Sequence, residues 1–391
     1  MGKIVFFNIP ACGHTNPTVE VVRALTQRGH QVRYYSFGMF REALEGAGAA
    51  FTACDGYLPP MPKDFDRRVG KDFASLIGMA THVTLGMDER VCRELREFGP
   101  DCLVVDSMCV WGKLFAKKLR LPMVCSTTTF AFNRETAKMM KPGFREALYA
   151  IAGIPRISRN LRDLRKQGFA VKNLLDLIQN DEQTDTIVYT SRAFQPLAET
   201  FGERYAFVGP SLPQVPAEPR ERGRPLVYIS LGTVIRNQGF YQSCMEALGG
   251  GPYDVVLSAG EERRAALAKA APANFRVEAR VAQLAVLQNA DVFITHCGMN
   301  SVSEAIYYEV PMILFPQQSE QNAVAQRAQE LGAGLRPASA SPGAIKAAVA
   351  EILGNRARYQ AGLRGLSESF RAAGGAPRAA DKIEAVIQGQ G

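Results

Sequence analysis

The sequence has little of what metal centres, disulfide scaffolds and membrane spans require. It has 391 residues with only four histidines and one tryptophan. A zinc site needs three or four clustered His, Cys or carboxylate ligands. Histidines at positions 14, 30, 82 and 296 are too scattered for that. The eight cysteines, at 12, 54, 92, 102, 109, 125, 244 and 297, contain no C-x-x-C pair and form no dense framework. They read as reduced thiols, and Cys102 and Cys125 act as small hydrophobes within apolar runs. No apolar run approaches the ~20 residues of a membrane helix. The opening MGKIVFFNIPACG is short and broken by Asn8 and Pro10, so it reads as a first strand rather than a signal peptide. Phe6 stands where myristoylation would want Ser or Thr. The expectation is a cytoplasmic protein with no metal and no cofactor.

Acidic residues are also in deficit, giving a net charge of +8. The densest basic stretch is Arg156, Arg159, Arg162, Arg165 and Lys166. Spacing near three makes it one solvated helix face, and no aromatics interleave to stack on bases. Nucleic acid is therefore not an expected partner.

What is present is alternation. KIVFFNI is an apolar run, followed by the loop PACGHT and an amphipathic segment with Val19, Val22 and Leu25 on one face. Asn16-Pro17 reads as its cap and first-turn pair and Gly29 as its stop, which leaves His30 exposed just beyond. QVRYYSF follows as a second strand, so the unit is βαβ with parallel strands. Apolar runs recur at 102–107, 122–127 and 186–191. A proline- and charge-rich stretch then lacks any period, and a second series follows at 225–231, 253–259, 290–296 and 311–316. The fold class is α/β, with two doubly wound, Rossmann-like domains facing a cleft: 1–212, a linker over 213–225, and 226–391. Residues 57–100 and 130–185 interrupt the first series. They are rich in Phe and Met (Phe65, Phe73, Met79, Met87, Phe130, Phe132, Met139, Met140, Phe144), which suits helix cores and also apolar ligand walls.

Two strand-to-helix turns carry candidate chemistry. ADVFITH runs into CGMNSVSEAIYYE, where a helix N-terminus would offer unpaired N–H groups to a phosphate. Asn300 and Ser301 would add donors, and His296 ends the strand. Ser301-Val302-Ser303-Glu304 also fits a plain capping box. ISLGTV places Gly232 and Thr233 at another strand end.

Together these residues resemble the donor signature of bacterial macrolide-type UDP-glycosyltransferases of GT-B fold. The likeness is densest in HCGMNSVSEAIYYEVPMILFPQQSEQ and extends to GHTNP, VVDSM and SRAFQPLAETFGERYAFVGPSL. The resemblance implies an inverting transferase, moving a hexose from a UDP-sugar to a small hydrophobic acceptor such as a macrolide or flavonoid. His296, Asn300, Ser301, Thr233 and the backbone of Gly298 and Met299 would hold the diphosphate. Glu304 would accept from the ribose hydroxyls, Glu320 and Gln321 would grip the sugar, and Gln283 with the Val281 backbone would meet the base. Many relatives have a Trp stacking on the base where Arg280 stands, so UDP against TDP stays open. Thr128 and Thr129 would reach the donor from the first domain, or serve as ordinary strand-end hydroxyls.

Inversion needs a base, and imidazole suits it near neutrality. His14 falls at the family's catalytic position, with Asp106 at a strand end able to orient it. The plain alternatives are a loop histidine and a helix-capping aspartate. Asp64-Phe65-Asp66 looks like the metal-binding pair of the other major glycosyltransferase fold, yet follows no apolar strand and reads as surface. The final segment is helical by pattern and is expected to pack back on the first domain. Two other functions stay open: a nucleotide-sugar epimerase or hydrolase, and a non-catalytic donor-binding partner.

Overall fold

The computed structural model describes residues 1–58, 73–139, 144–178, 183–216, 223–232 and 238–389. The chain forms two compact units. The first comprises Met1–Ser191, Gln195–Ser211 and Ala373–Gly391, and the second Arg192–Phe194 and Leu212–Ala372.

The first unit runs β1 (Lys3–Phe7), α1 (Cys12–Gln27), β2 (Gln31–Ser36), α2 (Arg41–Gly46), β3 (Ala50–Ala53), α3 (Phe73–Phe98), β4 (Cys102–Asp106), α4 (Val110–Leu119), β5 (Met123–Thr127), α5 (Arg134–Met139), α6 (Phe144–Lys166), α7 (Leu175–Ile178), β6 (Asp185–Val188) and β7 (Tyr205–Phe207). Its strands pair in the order β3-β2-β1-β4-β5-β6-β7, all parallel. A parallel sheet is covered on both faces, which is why β1 and β4 are near-continuous apolar runs and are buried almost throughout. Phe6 stacks on Tyr34 and Phe7 on Tyr35 across the β1–β2 register, with centroids 5.1 and 4.7 Å apart. Of the Phe- and Met-rich insertions, Met87 and Phe130 join the buried interior while Phe132 is exposed. Phe65, Met140 and the Asp64–Asp66 string lie outside the described residues.

The second unit runs β8 (Leu226–Ser230), α8 (Gln238–Leu248), β9 (Asp254–Ser258), α9 (Glu261–Ala270), β10 (Phe275–Glu278), α10 (Gln283–Leu287), β11 (Val292–Thr295), α11 (Met299–Tyr307), β12 (Met312–Leu314), α12 (Ser319–Glu330), β13 (Gly334–Leu335), α13 (Pro342–Gly354) and α14 (Arg356–Ala372). Its order is β10-β9-β8-β11-β12-β13, again parallel. Strands β3, β7, β10 and β13 carry too little apolar sequence to stand out by themselves.

The last helix, α15 (Gly375–Ile387), belongs to the first unit. Ala379, Ala380 and Ile383 bury one face of it, against α1 among other elements. Arg28 donates to Asp381 (2.9 Å) and Glu384 (2.8 Å). Lys382 Nζ stands 2.5 Å from the buried carboxylate of Asp185.

Two local expectations are corrected here. Helix α1 begins at Cys12, four residues before Asn16, so Pro17 lies inside it. Proline at the sixth helical position removes the N–H that would bond back to Gly13, a small loss so near the helix start. The consequence is that His14 sits in the first helical turn rather than in a loop. His30 is not exposed: its side chain is 9% accessible. Its Nδ1 accepts the Gly2 N–H at 3.0 Å and its Nε2 donates to Glu384 at 2.8 Å, a partner 354 positions away.

Candidate active site

In the first unit the strand order reverses between β1 and β4, and in open α/β sheets that point is where ligands bind. His14 follows β1 and Asp106 ends β4, so the topology alone brings them together. Their Nδ1 and Oδ2 atoms lie 2.7 Å apart. The Asp106 side chain is 0% accessible and that of His14 18%. Asp106 Oδ1 accepts the Met108 N–H at 2.8 Å, so both carboxylate oxygens are engaged and the group is held in place. An acceptor-only carboxylate on Nδ1 selects the tautomer with the proton there. The basic lone pair then sits on Nε2, the nitrogen that can take a proton from a substrate hydroxyl.

Residues that the sequence did not single out fix this pair. Asn8 Nδ2 donates to the His14 carbonyl and to the Tyr34 hydroxyl, both at 3.0 Å. The buried Lys113 donates to the Ser107 carbonyl at 2.7 Å and so tethers the turn after Asp106. Thr128 is buried with its hydroxyl 3.2 Å from His14 Nδ1, so its contact in the structure is with the imidazole. Thr129 donates to the Phe130 carbonyl at 3.2 Å. His82 is exposed on α3.

In the second unit the order reverses between β8 and β11. His296 follows β11 there, and Gly232 follows β8. A Cβ on Gly232 would come within 2.7 Å of the His296 ring, and one on Gly298 within 2.8 Å. The imidazole therefore lies between two glycines, and Gly232 also holds φ +73°. Burial pushes the His296 pKa down to about 4, with the Ser230 carbonyl acting in the opposite sense. The ring is neutral at pH 7, and among the described residues its buried Nδ1 has no hydrogen-bond partner. Cys297 takes φ +66° in the turn that follows, a left-handed conformation that non-glycine residues rarely adopt.

The capping-box reading of 301–304 is overturned. Helix α11 starts at Met299 with Gly298 as its cap, and no side chain caps it. Ser301 is thus already inside the helix and not at its cap. Glu304 instead faces Gln283, whose Nε2 donates to Glu304 Oε2 (2.5 Å) and Ser301 Oγ (3.2 Å). Tyr228 on β8, missed in the sequence, donates its hydroxyl to Gln283 Oε1 at 2.9 Å. Burial raises the Glu304 pKa to about 7, against the lowering effect of the Gln283 amide.

The remaining donor-signature residues are placed as follows. Met299 is buried and Asn300 half-buried in the first turn of α11, while Val281 is half-buried beside the exposed Arg280. Glu320 is exposed in the first turn of α12, and Gln321 accepts the Gln317 N–H at 2.8 Å. Thr233 lies outside the described residues. Among the described residues no group of three or more His, Cys, Asp and Glu is arranged to hold a metal ion. No described helix is long and apolar enough to cross a membrane.

Residues 242–383 match the family model for the C-terminal domain of erythromycin biosynthesis protein CIII-like proteins. The chain is 31% identical to the uncharacterized UDP-glucosyltransferase YojK of Bacillus subtilis (strain 168), over 99% of this chain and 98% of that one. It is 28% identical to the demethyllactenocin mycarosyltransferase of Streptomyces fradiae, over 99% and 87%. The crystal structure of the glycotransferase of kitacinnamycin superposes with a TM-score of 0.85 at 29% identity, covering 98% of this chain and 99% of that one. With two parallel Rossmann-like sheets, a half-buried histidine on a buried aspartate at one switch point and a helix start without a side-chain cap at the other, the chain belongs to the macrolide-type glycosyltransferases of GT-B fold, enzymes that transfer sugar from a nucleotide sugar.

Proposed function

We propose that this glycosyltransferase inverts the anomeric centre and moves glucose from UDP-glucose to a hydroxyl of a small hydrophobic acceptor such as a macrolide or flavonoid. The observation that carries the reading is the His14–Asp106 pair at 2.7 Å. The acceptor oxygen attacks the anomeric carbon, the bond from that carbon to the diphosphate breaks, and the acceptor proton passes to His14 Nε2. Asp106 orients the ring and stabilises the imidazolium that forms. The leaving diphosphate rests on the N-terminal N–H groups of α11, with neutral His296 as a further donor and no metal required. The name of the Bacillus subtilis relative supports UDP-glucose, and Glu304, an acceptor-only group, suits the paired hydroxyls of a ribose.

The test is a panel of nucleotide sugars and hydroxylated apolar acceptors, read by mass shift, with His14→Ala beside the parent. The parent should give a hexose adduct, unaffected by EDTA. His14→Ala should lose transfer by about a thousandfold or more while UDP binding changes less than about twofold. UDP release at the same rate without acceptor would favour a hydrolase instead.

A further inference from the structure

Beyond the groups that touch the nucleotide, the second unit holds an aromatic hydroxyl whose function in the site has to be found in its contacts. Tyr228 is the middle residue of β8, 1% accessible, with its ring stacked on Phe293 of β11 at a centroid distance of 4.7 Å. Packing alone would be served by phenylalanine. The hydroxyl nevertheless reaches Gln283 Oε1 at 2.9 Å, and Gln283 in turn reaches Ser301 and Glu304 from its other end.

We propose that Tyr228 is a positioning residue of the nucleotide site: its hydroxyl fixes the orientation of the Gln283 carboxamide, so that the amide N–H₂ faces Glu304 and Ser301. The argument is one of donor and acceptor complementarity. A carboxamide can be turned over at no steric cost, exchanging its oxygen and nitrogen. Turned over, its oxygen would confront Glu304 Oε2, an arrangement that only a protonated Glu304 tolerates. The tyrosine hydroxyl donates to Oε1 and so favours the orientation that accommodates the ionised carboxylate, since against a turned-over amide it could only accept and its proton would lose its acceptor on Gln283. The ionised form is the acceptor-only state that can receive two vicinal hydroxyls together, so Tyr228 acts on nucleotide affinity through Gln283 and Glu304.

Burial apart, the surroundings leave this amide as the principal influence on Glu304. Tyr228 from β8 and Tyr308 just beyond α11 interact with it electrostatically, both as neutral phenols. From α14, Arg371 is bound to the Tyr307 carbonyl at 2.8 Å. From α12, Arg327 is bound to the carbonyls of Ala193 and Phe194, each at 3.0 Å. Among the described residues no cation pairs with the Glu304 carboxylate. Its pKa of about 7 puts the ionisation within reach of a titration near neutrality.

The inference rests on the reading of Glu304 as the group that receives the ribose, and the experiment separates the two. UDP affinity is measured by calorimetry from pH 5.5 to 9 for the parent and for Tyr228→Phe, Gln283→Ala and Glu304→Gln, with melting temperatures recorded alongside. In the parent, affinity should fall as pH drops through about 7. Tyr228→Phe should bind about three- to tenfold more weakly near neutrality, in line with one lost buried hydrogen bond. Its inflection should move to higher pH, because the carboxylate loses a fixed donor. Gln283→Ala should move the inflection the same way without touching β8, which covers the case in which Tyr228→Phe fails to fold. Glu304→Gln should flatten the profile. Inflections in both Tyr228→Phe and Gln283→Ala that coincide with the parent's would overturn the role of Tyr228. A pH profile in Glu304→Gln that equals the parent's would instead overturn the ribose reading.

Discussion

At the scale of single residues, the molecule sets two titratable groups in opposite directions by burial. His296 is kept neutral and Glu304 is pushed toward protonation, and each change follows from desolvation of the charged form. The consequences for stability differ in sign. Folded His296 binds fewer protons than an unfolded histidine between about pH 6.5 and 4, so its contribution is lost as pH falls through that window. Folded Glu304 binds more protons than an unfolded glutamate between about pH 4.5 and 7, so its contribution is present below 4.5 and lost as pH rises through 7. Glu304→Gln removes only the second effect. The melting temperature of the ligand-free variant, relative to the parent, should therefore climb from pH 4.5 to 7 and then level off; a constant difference would show that Glu304 ionises normally. Asp106→Asn belongs to the same scale. It retains the shape of the pair but lets the imidazole adopt the wrong tautomer, and the turnover rate should fall by roughly 10²- to 10⁴-fold with little change in UDP affinity. Unaltered turnover would remove Asp106 from the mechanism.

The element that matters most is the passage from β11 to α11. His296, Cys297 and Gly298 compress a strand end, a left-handed residue and a helix cap into three positions. The arrangement works because Gly298 and Gly232 have no Cβ to strike the imidazole. Gly298→Ala should displace the ring and raise the KM for the nucleotide sugar by about tenfold, with kcat less affected, measured by initial rates over a donor series. Gly232→Ala should be worse, since its φ of +73° adds backbone strain to the same collision. Parent-like KM in both variants would mean that His296 does not bind the donor. The motif around this turn was legible in the sequence, since strand, small residues and helix follow in order. The helix start was not. Ser301-Val302-Ser303-Glu304 offers good capping chemistry, but the apolar side chains of Met299 and Val302 bury with the core and carry the helix back to Met299. The start of α1 was likewise displaced: the helix begins at Cys12 with Ala11 as its cap, and not at Asn16-Pro17.

Over the whole molecule, the chain's end returns to its beginning. Helix α15 is joined to the first unit by its alanine-rich face and by Lys382, which neutralises the 8%-accessible side chain of Asp185 together with Arg204. Lys382→Ala should destabilise the first unit by about 2 kcal/mol, because a buried carboxylate then has one cation instead of two. Deleting 375–391 should cost more and uncover the face of α1 on which α15 packs; both are checked by denaturant unfolding, and an unchanged midpoint would refute the docking role. By itself the sequence determined the α/β class, the parallel sheets and the placing of His14, Asp106 and His296 at or just after strand ends, because apolar runs and strand ends are local properties of the chain. Tertiary structure alone decided that His30 would be shared with Glu384, that Thr128 would meet an imidazole, and that Tyr228 and Gln283 would be joined to Glu304. Those contacts link residues between 21 and 354 positions apart. No local pattern encodes such distances; the register of the two sheets does.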